Sequence, residues 1–317
     1  MEQSVENKNV WGGNANPFSA SYGKLMMWFF LMTDALTFSG FLAAYGFSRF
    51  KYVDVWPVPE DVFTHFPFLH GDHPLLFVAL MTFILIMSSV TMVLAVNYGH
   101  KMQKNKVILW MALTIVGGSM FLGAQAWEWG HFIHGDRAGI DTNFEYVVHV
   151  AKGEKLASVY DLMDIDKYSN ESSIKYFGLA DLTQEMKEGF DQENINNLIK
   201  QLEAKPEFNI RTADKKYLTN DQSIKYLQEN ASKIISGANL HDNEYGHPLF
   251  ADYFFFITGF HGFHVFSGVI ILIVILINVI KGTYEKRGHY EMVEKVGLYW
   301  HFVDLVWVFV FTFFYLV

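Results

Sequence analysis

The stretch Tyr253-Phe-Phe-Phe-Ile-Thr-Gly-Phe-His-Gly-Phe-His-Val-Phe-Ser-Gly-Val-Ile-Ile-Leu-Ile-Val-Ile-Leu-Ile-Asn-Val-Ile280 contains no Asp, Glu, Lys or Arg. A helix needs roughly 20 mostly apolar residues to cross a bilayer, so this run is long enough with turns to spare. Four more stretches read the same way: Leu25–Ser48, Pro74–Tyr98, Val107–Trp129 and Val296–Val317. The first carries only Asp34, the last only Asp304, and the third only Glu128 near its end. The residues before Leu25 are polar and lack the basic, then apolar, pattern of a cleaved signal peptide, so the first span is expected to be retained.

The whole-chain averages conceal this pattern. The 317 residues are 51% hydrophobic, with a net charge of -9 and a mean hydropathy of only +0.14. Between His131 and Leu249, however, lie 20 acids and 13 bases. A polar insertion therefore dilutes five apolar spans. The expected fold is an all-α membrane protein with three parts: spans one to three in residues 1–130, an acidic insertion in 131–249, and spans four and five in 250–317. Within the insertion, Asp181–Ala204 reads as an amphipathic helix with Leu182, Met186, Phe190, Ile195, Leu198 and Leu202. Ser223–Ile235 is a second candidate. The tetrapeptide Ser-Ile-Lys-Tyr occurs at Ser173–Tyr176 and Ser223–Tyr226, but two copies do not make a repeat architecture.

Charge sets an expected orientation. The loop after span two holds Lys101, Lys104 and Lys106 with no acid, and the loop after span four holds Lys281, Lys286, Arg287 and Lys295. By the positive-inside rule both face the cytoplasm, with the N-terminus. The insertion and the C-terminus then face out. The chain has no cysteine, which excludes disulfides, zinc-thiolate and iron–sulfur sites and thiol nucleophiles within it. Its acidic balance argues against a nucleic-acid partner.

Ionisable groups inside a bilayer are costly and mark candidate sites. Asp34 lies near the middle of span one, where a carboxyl needs a donor, a cation or its own proton. In span four Thr258, His261, His264 and Gly268 share a helical face. In span five His301 and Asp304 lie at i and i+3. Two readings stay open for these histidines: metal or haem ligands with a carboxylate orienter, or hydrogen bonds between close-packed helices. Gly118, Phe121, Gln125 and Glu128 form a stripe on span three. There Gln125 suits helix contact, and Trp127 and Trp129 suit an interfacial belt. Ser88, Thr91 and Ala95, and the pair Gly40 and Ala44, read as packing faces.

Two C-terminal motifs carry a family resemblance. Thr258-Gly-Phe-His-Gly-Phe-His-Val265 followed by Gly268, and Tyr299-Trp-His-Phe-Val-Asp-Leu-Val-Trp307, resemble the signatures of subunit III of the haem–copper oxidases. Tyr22-Gly-Lys24, Trp28, Phe30-Leu-Met-Thr-Asp34, Met87-Ser-Ser89 and the Gly118–Glu128 stripe agree in order. The five-span plan resembles the family's short bacterial form. Asp34 departs from a customary Glu, Met81 from a customary Asn, and the insertion has no counterpart in the family pattern.

The resemblance implies a non-catalytic subunit of a proton-pumping terminal oxidase in the bacterial cytoplasmic membrane. The redox haem and copper would sit in partner subunits I and II, with no metal or cofactor on this chain and phospholipid bound beside it. Asp34, Gln125, Glu128, His261, His264, His301 and Asp304 would take structural, lipid-cleft or proton-related roles. His100, His289, Glu285, Glu291 and Glu294 in the inside loops would gather protons. The insertion, with a charge of -7, would steer a basic cytochrome c or grip a neighbouring respiratory complex. Three alternatives remain: a quinol-oxidase subunit III, a bis-histidine haem b anchor using His261 or His264 with His301, and a transporter using Asp34 and Asp304.

Overall fold

The structure is a computed structural model describing residues 21–67, 71, 73–143, 146–164 and 184–316, of which 184–190 are described by backbone alone. Five of its helices are long and apolar enough to cross a membrane, and the chain is a multi-pass membrane protein. They are α1 (Tyr22–Lys51), α3 (Leu76–His100), α4 (Lys104–His134), α8 (Pro248–Ile280) and α10 (Glu291–Val310), the last continued by a π-helical turn, Phe311–Leu316. Most begin or end a few residues outside the apolar runs. Helical hydrogen bonding continues into the polar flanks, where the apolar signal has already stopped. A short helix α2 (Pro59–Val62) lies between α1 and α3, and α9 (Thr283–Arg287) between α8 and α10.

The chain divides into two compact units. The first holds Met1–Phe41, Phe83–Met120 and Phe263–Phe309. Its packing turns on Trp300, which is fully buried and donates its indole N–H to Ser88 Oγ at 3.1 Å. Only glycine fits beside that ring at 118, because a Cβ there would collide with the Trp300 edge, and a Cβ at Gly117 would come within 2.8 Å of Ser88. Thr91 and Thr114 hydrogen-bond at 2.8 Å, so the expected Ser88–Thr91–Ala95 face is a packing face. Gly40 and Ala44 are exposed within this chain, and nothing lies within 4 Å of a Cβ built on Gly40.

The second unit holds Leu42–Thr82, Phe121–Gly262 and Val310–Val317. Closely packed aromatic rings form one of its cores: Phe63, Phe132, Phe250, Phe254 and Phe314, with ring centroids 4.3 to 6.4 Å apart in contacting pairs. Such pairs add about 0.5–1.5 kcal/mol each beyond area burial.

The inserted segment is an α+β domain, which corrects the all-α expectation. Its strands are β1 (Gly139–Thr142), β2 (Val147–Lys152), β3 (Lys155–Leu156), β4 (Phe208–Arg211) and β5 (Ala231–Ile235). All pairings are antiparallel, in the order β3-β2-β1-β5, with β4 also pairing β2. The helices are α5 (Val159–Met163), α6 (Gln184–Ala204) and α7 (Asn220–Asn230). Ile195, Leu198 and Leu202 of α6 join Ile140, Val148, Val150 and Ile210 in one buried core. The side chains of Leu182, Met186 and Phe190 and the first Ser-Ile-Lys-Tyr copy lie outside the described residues.

The expected helix over Ser223–Ile235 is corrected too. It begins earlier, where Thr219 and Gln222 form a reciprocal capping box, and it ends at Asn230. The following Ala-Ser-Lys-Ile-Ile is strand, because Ile234 and Ile235 pair with β1. Pairing with a distant strand overrides a local helical pattern.

Candidate functional site

The candidate residues fall in two groups, and a third polar cluster stands apart from them. In the first unit Asp34 of α1 meets His264 of α8, with Oδ2 to Nε2 at 3.5 Å. The His264 ring also packs edge-on against Phe38 at 5.3 Å. Tyr299 donates to the His264 carbonyl at 3.1 Å and lies 2.9 Å from Ser267 Oγ, tying α10 to α8. His301 and Asp304, one helical turn apart on α10, both reach Ser89 of α3: His301 Nδ1 at 2.6 Å, and Asp304 by a side-chain hydrogen bond. Ser89 belongs to a motif visible in the sequence, but nothing there marks it as their shared partner.

In the second unit Glu128 is buried, with Oε2 accepting from Gln125 Nε2 at 3.0 Å and from the Tyr315 hydroxyl at 3.1 Å. Tyr315 is presented by the π-helical turn, whose altered residue spacing no periodicity argument foresees. His261 is fully buried and stands edge-on to Phe121 at 5.6 Å. Trp129 donates to Thr258 Oγ1 at 3.0 Å, and a Cβ on Gly259 would come within 3.0 Å of its ring. Trp129 is therefore a helix-to-helix contact as well as a candidate belt residue.

The third cluster lies at the root of the inserted domain, and sequence reasoning did not find it. Glu244, only 1% exposed, accepts from the backbone N–H groups of Asp136 (2.7 Å), Arg137 (3.3 Å) and Gly237 (2.5 Å). One carboxylate thus fastens the chain leaving α4 to the chain leaving β5. Arg211 of β4 pairs with Asp61 of α2 at 2.8 Å, and Arg137 donates to the Asp61 carbonyl at 3.3 Å. His149 of β2 hydrogen-bonds the Glu244 carbonyl through Nε2 at 2.8 Å. In sequence Glu244 is one acid among twenty, and it has no spacing that marks it out.

Burial pushes the His149 imidazole down from its ordinary value near 6.5 to about 4. The Glu244 carbonyl opposes this, and the Arg211 and Arg137 charges reinforce it. A histidine depressed in the folded state binds fewer protons than in the unfolded chain between those two values. The inserted domain should therefore be most stable above about pH 6.5 and lose stability as the pH falls toward 4. Hydrogen-exchange protection of β1, β2 and β4 measured across that window should fall with pH. A His149→Gln variant should flatten the dependence, and an equally steep fall in that variant would refute the assignment.

In the first unit, Lys24 pairs with Glu294 at 2.7 Å, Lys295 with Glu291 at 3.1 Å and Lys104 with Glu285 at 3.5 Å. The three loop glutamates expected to gather protons are thus each engaged with a lysine. His100 and His289 line an open pocket beside Lys24, Glu291 and Glu294. Among the described residues, no group of three or more His, Cys, Asp or Glu side chains is arranged to hold a metal.

Comparisons with known proteins match part of the chain. Residues 217–317 match the family model described as cytochrome c oxidase subunit III. A Rickettsia felis protein named "Probable cytochrome c oxidase subunit 3" is 47% identical over 70 residues, 22% of this chain and 25% of its own length. The cytochrome c oxidase subunit 3 of Marchantia polymorpha is 44% identical over 64 residues, 20% of this chain and 24% of its own. That of Cyanidium caldarium is 40% identical over 78 residues, 25% and 27% of the two chains. The chain spans about a quarter of the length of the curated relatives it matches.

Proposed function

We propose, from its kinship with the haem–copper oxidase subunit III family, that this chain is the non-catalytic third subunit of a proton-pumping terminal oxidase. The single observation carrying this reading is the family match over residues 217–317, which contains α8 and α10 with His261, His264, His301 and Asp304. Their contacts support a bracing role. Asp34, Phe38, Ser89 and Phe121 meet these side chains from neighbouring helices, so the polar groups serve helix-to-helix cohesion. The haem and copper then belong to subunits I and II.

The exposed surface of α1 supports a face for those subunits or for phospholipid. Only 11% of its apolar window is buried within the chain, against 50% for α10 with its π turn. Exposed Gly40, Ala43 and Ala44 would let another helix or an acyl chain approach closely. On the lysine-bearing loops, His100 and His289 are the groups left to exchange protons for the complex, since the glutamates are engaged. The inserted domain, acidic overall, would meet a basic electron carrier or an adjoining respiratory complex on the outer side of the bacterial cytoplasmic membrane.

The test is purification through an affinity tag on this chain. The expected result is a stable complex with two further subunits that carry haem and copper. Removing this chain should leave the haem spectrum intact while shortening the time the enzyme sustains turnover. A Soret band that stays with the separated chain would overturn the reading in favour of a haem anchor.

A further inference from the structure

Glu128 has a second oxygen that the contacts above do not use. Its Oε2 takes both the Gln125 and Tyr315 donors, while Oε1 is shielded from the surface and has no hydrogen-bond partner in the protein. The side chain is 4% exposed and lines a pocket. A buried acceptor left unpaired costs about 1–3 kcal/mol, and the residue that carries this one lines a cavity from which a donor could come.

The pocket has a built polar end. His65, His131 and Asp136 line it together with Glu128, and Phe63 and Phe132 form apolar walls. His65 Nε2 lies 3.3 Å from Asp136 Oδ1, and both side chains are about one-third exposed. His131 Nδ1 is 3.3 Å from the Trp127 carbonyl. The cavity is about 30 Å³. A single water needs roughly 10–15 Å³, so the space admits one or two.

The groups facing the carboxyl are Tyr315 from the π turn, Gln125 from its own helix, and His65, His131, Asp136 and Tyr245 around the pocket. None of the pocket-lining residues is Lys or Arg. No fixed cation there satisfies Oε1, whereas water or a proton can.

We propose that Glu128 is a proton-exchange site served by water entering at the end of the bundle that bears the inserted domain. A proton from bulk water passes His65 and Asp136 along the pocket and forms an O–H bond at Oε1. Breaking that bond returns the proton to water by the same route. Oε2 keeps its two donors throughout, so the Tyr315 and Gln125 contacts hold the carboxyl in place while its charge changes. Glu128 thereby becomes more than a brace between α4 and the π turn. The site does not depend on the oxidase assignment, and its readout needs no turnover.

The test is infrared spectroscopy of the intact purified complex through a pH series, first in H2O and then after transfer to D2O. Glu128→Gln should remove one carboxylic-acid carbonyl band, and in the wild type that band should shift soon after transfer. Filling the pocket with Val78→Phe should keep the band and slow its shift about ten-fold, because exchange would then need local opening. His65→Leu, at the half-exposed end, should slow it as well and decides the matter if Val78→Phe fails to assemble. The proposal is overturned if Glu128→Gln removes no such band at any pH, or if the blocked variants exchange as fast as the wild type.

Discussion

Replacing Glu244 with Ala should release the inserted domain while leaving the membrane helices in place. The carboxylate accepts from three backbone N–H groups at the junctions on either side of the domain, and it is 1% exposed. Alanine would strand all three donors in a buried site. At about 1–3 kcal/mol for each unsatisfied group, the loss is roughly 3–9 kcal/mol, comparable with the whole stability of a small domain. Gly135 deepens the dependence. It ends α4 at a positive φ of 68°, and a Cβ there would collide with the Glu244 carboxylate, so the turn and the acid are fitted to each other. Hydrogen exchange should show protection lost across β1, β2, β4 and β5 and retained in α8 and α10. Limited proteolysis should cut between residues 136 and 237. Glu244→Gln keeps one acceptor oxygen and should fall between the two. Unchanged protection in Glu244→Ala would show that the domain is held by other contacts.

Trp300→Ala should be the most damaging single change in the first unit, at about 3–5 kcal/mol for truncating a fully buried large side chain. The indole fills the space left by Gly118 and Gly268 and hydrogen-bonds Ser88, so the loss is both a cavity and an unmade bond. Gly118→Ala should also destabilise, because its methyl would collide with the ring. The two changes should not add. In the double variant the methyl enters the space the indole has left, so it should be more stable than the sum of the single changes predicts. Thermal unfolding of the purified protein, compared across the four variants, reads the coupling. Strict additivity would mean that ring and glycine do not share one packing site.

The five spans were legible because a membrane helix is a property of local composition. Twenty or more apolar residues declare it without reference to the rest of the chain, and Tyr253–Ile280 does so alone. The candidate residues were legible for the same reason, since Asp34, Glu128, His261, His264, His301 and Asp304 stand out against an apolar background. Their pairings were not. Asp34 lies 230 residues from His264, and Ser89 lies more than 200 from His301. One small polar residue among several along a helix carries no mark of the partner it will meet.

The inserted domain shows the opposite balance. Its acidity and the α6 periodicity could be read, but its strands are two to six residues long. Strands that short become strands only by pairing, and β2 takes partners from both sides of α6 in the chain. The sequence by itself determined how many helices long and apolar enough to cross a membrane the described residues hold and where the polar segment lies, because hydropathy is summed over neighbours in the chain. Only the tertiary structure decided that Glu244 closes the domain, that Tyr315 holds Glu128, and that Glu128 lines a water-sized pocket. Those facts depend on atoms that folding brings together from far apart in the chain.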